Sequence, residues 1–118
     1  MKTKLILLLL FLNLIACASN GEERKPAKPR YYISHEEIQS LIGPNNALEI
    51  ISRTRPFWLR GSGGEASVYM NNIEMGALES LNNISIDIIK NIKFLTHSEA
   101  TTMYGTNNTG GVIEIRTK

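Results

Sequence analysis

The sequence predicts a small single domain of the α+β class, in which short helices pack on a mixed sheet of about four to five strands. Three observations indicate this class. Polar residues typical of helix starts recur at Ser34, Asn46 and Thr96. The pair Asn71-Asn72 separates two short apolar segments, as in a β-hairpin. Residues 112–116 alternate apolar and charged side chains, which is typical of a strand.

Two helices are expected before Pro56. Ser34 and Glu37 fit a capping box, in which the Ser34 hydroxyl accepts from the Glu37 N–H and the Glu37 carboxylate accepts from the Ser34 N–H. The apolar face of this helix would consist of Ile38, Leu41 and Ile42. Gly, Pro and Asn at 43–45 should end it. Asn46 starts a second helix, which ends at Pro56. The residues of this helix expected in the core are Leu48 and either Ile50 or Ile51.

The central part of the chain is expected to contain strands. Residues 57–60 are predicted as a short strand and residues 61–64 as a glycine-rich loop. Residues 68–70 and 73–75 form the two arms of the hairpin around Asn71-Asn72. Asparagine tolerates the positive φ that two-residue hairpin turns require, so this is the clearest strand pair in the sequence.

The next segment combines a short helix with a strand. Residues 84–89 follow short-helix spacing around Ser85, and residues 91–95 alternate as a strand. Thr96 and Glu99 then suggest a third capping box.

The last helix and strand complete the prediction. A helix over 98–104 should end at Gly105, because a residue without Cβ readily adopts a left-handed cap. We expect Tyr104 to close this helix with its ring over the core. Gly110 and Gly111 would let the chain run close to a neighbour as it enters a half-buried last strand. These four residues are interpreted as structural rather than ligand-binding.

The N-terminal residues predict export. Lys2 and Lys4 precede an unbroken apolar run over 5–12, and residues 13–16 lead to Cys17. This order is typical of a secretion signal, and the run is shorter than the roughly 20 apolar residues that a membrane-spanning helix needs. We therefore expect residues 1–16 to be a signal peptide. A polar segment, 17–30, contains no large apolar residue after Cys17 and predicts a flexible tether ahead of a domain over 31–118.

Composition excludes several function classes. Removing 16 of the 118 residues leaves 102, and the remaining 11 basic and 11 acidic side chains cancel, so no nucleic-acid partner is expected. Cys17 is the single cysteine, so no disulfide is expected. His35 and His97 both fall in helix-start motifs, and Asp87 is the only aspartate. We expect no metal site, no cofactor and no enzymatic activity.

Two sets of motifs resemble known families. Residues 14–17, Leu-Ile-Ala-Cys, resemble the lipobox of bacterial lipoproteins, which implies that acyl chains are attached at Cys17. Ala18 resembles the outer-membrane sorting signal of enteric bacteria, which implies an outer-membrane location. Residues 68–72, 88–95, 99–105 and 110–118 resemble the plug domain of TonB-dependent outer-membrane receptors, and with the helical segment around 46–52 the resemblance covers most of residues 33–118. The motifs of that resemblance are Val-Tyr-Met-Asn-Asn at 68–72, the isoleucine-rich segment 88–95, Tyr-Gly at 104–105, Gly-Gly-Val-Ile at 110–113 and the final Thr-Lys.

The resemblance implies a plug-like fold but not transport. In the receptors a barrel follows the plug, whereas this sequence ends at Lys118, and its tether lacks a convincing TonB box. We therefore expect a free-standing plug-like domain on a lipid anchor.

Four residues are candidates for partner binding: Arg53, Arg55, Trp58 and Arg60. Arginine and tryptophan are enriched at binding hot spots. The alternative, which we favour, is that Trp58 and Phe57 fill the core while the arginines are solvated or pair with Glu49 and Glu65.

Two functions remain open. The first is a non-catalytic interaction module that docks on an outer-membrane protein or transport complex, by strand addition or through the arginine and tryptophan side chains. The second is a lipoprotein that captures a small nutrient in the loops 61–64 and 106–109. A deep aromatic pocket would favour the second function, and a flat face with an unpaired strand edge would favour the first.

Overall fold

The computed structural model of the chain describes residues 28–61 and 63–118. The predicted signal peptide, Cys17 and the tether up to residue 27 lie outside the described residues, as does Ser62. The strands of the described part are β1 Tyr32–Ile33, β2 Ser67–Met70, β3 Ile73–Gly76, β4 Ile89–Leu95 and β5 Val112–Thr117. Its α-helices are α1 His35–Ser40, α2 Ala47–Thr54 and α3 His97–Tyr104, and its 3-10 helices are Pro56–Leu59, Leu78–Asn83 and Ile86–Ile88.

The five strands form one mixed sheet in the order β1-β4-β5-β2-β3. Strands β2 and β5 are parallel, and the other neighbouring pairs are antiparallel. The predicted α+β class and the mixed sheet are confirmed. The order places β5 in the centre and leaves β1 and β3 at opposite edges.

Helices cover both faces of the sheet. The larger core joins one face to α1, α2 and the 3-10 helices, and its largest members include Trp58, Ile50, Ile51, Ile92 and Ile113. A smaller core under α3 contains Tyr69, Leu95, Ala100 and Val112. Because β5 lies between the two cores, it contributes Ile113 and Ile115 to one face and Val112 to the other. The predicted half-buried strand is instead buried on both faces over its first four residues.

Two of the three predicted helix caps form. The Ser34 hydroxyl accepts a hydrogen bond from the Glu37 N–H at 3.2 Å. Asn46 caps α2 in the same way, with its Oδ1 at 3.0 Å from the Glu49 N–H. The third cap is wrong, because the Thr96 side chain makes no capping hydrogen bond and α3 begins one residue earlier, at His97.

The first capping box is only half formed. The Glu37 carboxylate does not return to the Ser34 N–H and instead pairs with Arg55. Helix α1 is also shorter than predicted, since it ends at Ser40 and the Leu41 N–H closes it on the Ile38 carbonyl. Ile42 therefore lies outside the helix and is 92 % exposed, contrary to its predicted place on the apolar face.

The predicted strand at 57–60 is wrong. Pro56 opens a 3-10 helix over Pro56–Leu59, in which the Trp58 N–H donates to the Arg55 carbonyl. Proline favours this position because it has no N–H to leave unpaired at a helix start. Residues 84–89 divide between two elements: Ser85 caps the 3-10 helix Ile86–Ile88, and Ile89 already belongs to β4.

The predicted hairpin is confirmed. Asn71 and Asn72 have φ of 50° and 70°, as a type I′ turn requires, and they connect β2 to β3. The turn is also attached to the end of β5, because the Asn71 amide donates to the Thr117 hydroxyl at 2.8 Å.

The glycines before β5 lie against backbone. A Cβ on Gly110 would overlap the Glu65 carbonyl oxygen and would lie 2.5 Å from that of Gly64. Gly111 has φ of +86°, and a Cβ there would lie 2.6 Å from the Leu95 carbonyl oxygen. Gly105 has φ of +99° after the last residue of α3. Side chains would therefore be strained at Gly105 and Gly111 and would collide at Gly110.

A buried ion pair joins α1 to the end of α2. Both guanidinium Nη atoms of Arg55 contact the Glu37 carboxylate, at 2.8 and 3.0 Å, and the two residues are 5 % and 8 % exposed. The guanidinium also donates to the carbonyls of Pro29, Tyr32 and Thr54. The hydrogen bonds from Arg55 therefore fix the backbone from Pro29 onward. The folded domain thus begins two residues before its predicted start at residue 31.

We expect Arg55→Met to lower the free energy of unfolding by about 3–5 kcal/mol, because it leaves the buried Glu37 carboxylate with only the exposed Lys28 Nζ, 3.7 Å away. The exposed Arg53 provides a matched control, and Arg53→Met should cost less than about 1 kcal/mol. Urea unfolding followed by circular dichroism measures both changes. Adding Glu37→Leu to Arg55→Met should recover part of the loss in stability, because no unpaired charge is then buried. If the loss in the double variant equals the sum of the losses in the Arg55→Met and Glu37→Leu single variants, the pairing is contradicted.

Candidate functional site

The four candidate partner-binding residues do not form one surface. Arg55 and Trp58 are 5 % and 1 % exposed and belong to the interior. Arg53 and Arg60 are exposed, and an Arg53 Nη donates to the Ile42 carbonyl at 2.7 Å. The alternative interpretation is therefore confirmed for Trp58, which lies in the core. It is wrong for Phe57, which is 37 % exposed. It is also wrong for Arg55, which pairs with Glu37 rather than with Glu49 or Glu65.

Trp58 is the centre of an aromatic cluster. Its ring stacks on Phe94 at a centroid distance of 5.6 Å, and Phe94 stacks on Tyr31 at 5.9 Å. Phe57 meets Tyr31 edge-on at 6.5 Å. The Trp58 indole N–H donates to the Arg30 carbonyl at 3.1 Å, so the buried tryptophan also fixes the backbone of the incoming chain.

A groove of about 360 Å³ opens beside this cluster. We call it the Arg30–Arg60 groove. Its side chains come from residues at the start of the domain, the Pro56–Leu59 helix, the end of β4 and the start of α3. The residues that define it are Arg30, Tyr31, Phe57, Arg60, Phe94 and His97, with the backbone of Gly61, Gly63 and Gly110.

Two loops meet at the rim of the groove. Gly61 and Gly63 from the first and Thr109 from the second contribute to its lining. The loops are packed backbone to backbone, since a Cβ on Gly63 would lie 2.8 Å from the Thr109 carbonyl oxygen. These are the loops in which the alternative function, nutrient capture, would place a ligand. Asn108 has a structural role instead, because it is 4 % exposed and its amide donates to the Gly105 carbonyl.

The opposite edge of the sheet has a different character. Strand β3 pairs with β2 on one side only, within residues 28–61 and 63–118. All four of its residues are exposed, and the apolar side chains of Ile73 and Met75 are 66 % and 40 % exposed. The sequence predicts the hairpin but does not indicate which of its two strands lies at the edge of the sheet. That position depends on the pairing of β5 with β2, which leaves β3 outermost.

A polar network covers the α3 face of the sheet. The Glu114 carboxylate is 5 % exposed and pairs with Arg116 at 2.6 Å. The Tyr104 hydroxyl lies 3.2 Å from Glu114 Oε2 and 3.1 Å from Asn72 Oδ1, and its ring stacks on Tyr69 at 4.0 Å. Burial raises the pKa of Tyr104, and the charge of Glu114 and its hydrogen bond raise it further, while Arg116 opposes them.

Comparison with family models, curated proteins and solved structures finds no match. The resemblances to lipoproteins and to receptor plug domains therefore remain predictions from sequence motifs.

Neither histidine belongs to a group of metal ligands in the described part of the chain, where no cluster of three or more His, Cys, Asp or Glu side chains is found. The Nδ1 atom of His35 is buried and has no hydrogen-bond partner among the described atoms. His97 is exposed and lines the Arg30–Arg60 groove. Among the helices of residues 28–61 and 63–118, none is long and apolar enough to cross a membrane.

The raised pKa of Tyr104 gives the stability a pH dependence. In the unfolded chain this hydroxyl titrates near pH 10, below its value in the folded chain, so its contribution is complete below about pH 10. The contribution is lost as the pH rises through the folded-state pKa. We expect Tyr104→Phe to cost about 1 kcal/mol at neutral pH and to weaken the fall in stability at alkaline pH.

Thermal unfolding measured from pH 7 into the alkaline range checks this expectation. Tyr32→Phe is the matched control, because Tyr32 is 38 % exposed and lies on the edge strand β1, outside the network that contains Tyr104 and Glu114. An unchanged alkaline slope in Tyr104→Phe would show that other groups dominate the pH dependence.

Proposed function

We propose that this protein is a lipid-anchored, non-catalytic interaction module of the bacterial outer membrane, which docks on a protein partner through the edge of β3. The observation that carries the proposal is the unpaired outer side of β3 together with its exposed Ile73 and Met75 side chains. A partner of this kind is an outer-membrane protein or a component of a transport complex.

Strand addition suits the chemistry of this edge. An edge strand presents unpaired backbone N–H and C=O groups, and an extended peptide can satisfy them by forming another strand. Soluble proteins usually protect such edges with charges, proline or covering loops. Here Ile73 and Met75 lie two positions apart, so their side chains are on one face of the strand, and Glu74 is on the other. A partner segment with alternating apolar side chains would match this pattern.

The predicted anchor would keep the module near a membrane. The lipobox-like residues 14–17 support acylation of Cys17, which lies outside the described residues. Because Pro29 and Arg30 are held to the domain, the 11 residues 18–28 set the reach of the tether, which is at most about 38 Å when fully extended. The module would therefore encounter only partners at or close to the membrane surface, where the local concentration of an attached domain is high.

The resemblance to receptor plug domains gives weaker support. Tyr104 packs over Tyr69, and Gly105, Gly110 and Gly111 occupy positions where a side chain would be strained or would collide. These are the structural roles expected of the motif, and they support a plug-like domain without identifying its partner. Fold alone does not determine function.

The alternative function, capture of a small nutrient, is favoured by one observation. The two loops that it requires both contribute to the Arg30–Arg60 groove, whose lining is rich in aromatic rings. The groove lies at the surface, however, and two of its aromatic side chains, Tyr31 and Phe57, are 40 % and 37 % exposed. A deep site that would bury most of a small molecule is not formed by these residues, so we favour the interaction module.

The anchor is tested by labelling. Cells that express the full chain with a C-terminal tag should incorporate radioactive palmitate into it, and Cys17→Ser should abolish the label because the acceptor sulfur is lost. The wild-type protein should sediment with membranes and require detergent for release. Palmitate labelling that survives in Cys17→Ser would contradict the assignment of Cys17.

The docking edge is tested by co-purification. The tagged lipoprotein is released in mild detergent, and bound proteins are identified by mass spectrometry. Ile73→Lys with Met75→Lys should reduce recovery of a stoichiometric outer-membrane partner at least about tenfold, equivalent to ~1.4 kcal/mol, because charges on an edge disfavour strand addition.

The matched control for the docking edge is Met103→Lys. Met103 is 57 % exposed on α3, so this change also replaces an exposed apolar side chain with a lysine but leaves β3 intact. We expect normal partner recovery in the control. Equal losses in control and edge variants, or recovery of the protein alone in several detergents, would refute docking through β3.

A further inference from the structure

The Arg30–Arg60 groove is positively charged. Arg30 and Arg60 line it, and no aspartate or glutamate does. Within residues 28–61 and 63–118, neither Arg30 nor Arg60 has an ion-pair partner. Both arginine side chains are exposed, so they are available to a ligand in solution or at a surface. A site of this composition favours an anion.

The chemistry of Arg30 suits a phosphate group. Its guanidinium carbon lies 4.8 Å from the centroid of the Phe57 ring and 5.6 Å from that of Tyr31, within the range of a cation–π contact. A guanidinium carries five N–H donors, and their spacing matches that of phosphate oxygens. The backbone of Arg30 is fixed by Trp58, which limits the ordering cost of binding.

The exposed aromatic rings indicate a membrane surface rather than bulk solution. Tyr31 and Phe57 are 40 % and 37 % exposed beside the two arginines. Aromatic side chains that flank basic residues are typical of surfaces that lie at the level of lipid headgroups. A soluble phosphate would gain nothing from these rings, whereas a headgroup lies next to acyl chains that can receive them.

The place of the groove in the chain favours the same ligand. Arg30 and Tyr31 are near the start of the described chain, where the predicted tether meets the domain in the sequence, and both line the groove. From these observations we propose that the Arg30–Arg60 groove binds the phosphate of an anionic lipid headgroup in the membrane that carries the protein. The membrane is identified by the proposed lipid anchor, so this part of the inference rests on the proposed function. The affinity of the groove for a phosphate group is argued from its own residues and does not depend on the anchor.

The test uses the chain from residue 17 to 118 with Cys17→Ser, so that binding does not depend on acylation. All buried apolar residues of the described part lie between Ile33 and Ile115, and this chain contains them all. Sedimentation with vesicles measures the partition coefficient. We expect binding to vesicles of phosphatidylcholine mixed with phosphatidylglycerol and little binding to phosphatidylcholine alone.

Arg30→Gln with Arg60→Gln should weaken the binding to anionic vesicles about 25-fold, since each basic side chain near such a surface contributes roughly fivefold. Lys90→Gln with Lys93→Gln is the matched control, because it removes the same charge from exposed positions on β4. The control should retain binding within about threefold, since only diffuse attraction is reduced. Circular dichroism verifies that each variant is folded.

Inorganic phosphate provides the second arm, with sodium chloride of equal ionic strength as its reference. Phosphate competes for the arginines, so we expect it to weaken vesicle binding more than chloride does but not to abolish it, since the headgroup is held by the rings as well as the arginines. Complete displacement by phosphate would assign the groove to a soluble anion and overturn the proposal. Equal losses in the two double variants, or no preference for anionic vesicles, would also overturn it. Because this chain carries no acyl group, a failed palmitate label leaves these results unaffected.

Discussion

The buried pair between Arg55 and Glu37 is the interaction on which the first half of the domain depends. Burying two charges is costly unless both are paired and their remaining hydrogen-bonding groups are satisfied. Here the Arg55 guanidinium meets both carboxylate oxygens and three backbone carbonyls, two of them in the segment before α1. That segment is thereby held against the sheet, where the Phe94 N–H donates to the Tyr31 carbonyl at 2.9 Å and β1 pairs with β4. The position of Tyr31 and Arg30 at the groove follows from this pairing.

Local patterns in the sequence were sufficient to predict the elements whose cause is local. The caps at Ser34 and Asn46 and the turn at Asn71-Asn72 depend on residues three positions apart or fewer, and the structure confirms them. The partner of Glu37 is 18 residues away, and no spacing rule relates the two positions. The central place of β5 likewise depends on its parallel pairing with β2, 45 residues earlier. The alternation of apolar and charged side chains in β5 therefore did not predict that both faces of this strand are buried. It also did not predict that the buried Glu114 carboxylate is paired with Arg116.

The candidate site was predicted in part, and the error has a geometric cause. In the predicted strand over 57–60, Trp58 and Arg60 would share one face. In the observed structure a 3-10 helix ends at Leu59, Arg60 follows it as an exposed residue, and Trp58 is 1 % exposed in the core. Trp58 still contributes to the lining of the groove together with Phe57 and Arg60. The same residues thus form a groove above a buried tryptophan instead of a tryptophan-centred surface. The loops 61–64 and 106–109 were named only for the alternative function, nutrient capture. Gly61, Gly63 and Thr109 from these loops line the groove, but the contribution of Arg30 could not be predicted without knowing where the chain enters the domain.

The two proposed surfaces are compatible because of the strand order. Arg30 and Tyr31 adjoin β1 at one edge of the sheet, and β3 forms the other edge. Five strands place these edges about 19 Å apart, at the usual spacing of ~4.8 Å between neighbours. The groove also extends to the loops before β2 and β5, but none of its lining residues belongs to β3. A headgroup held there would therefore leave the β3 backbone free to pair with a partner. A tether alone would let the domain rotate freely, whereas a second contact with the membrane would restrict its orientation and so reduce the rotational entropy lost when a partner binds. Weak binding of a headgroup in the groove would thus increase the affinity of the β3 edge for a partner, although the headgroup does not contact β3.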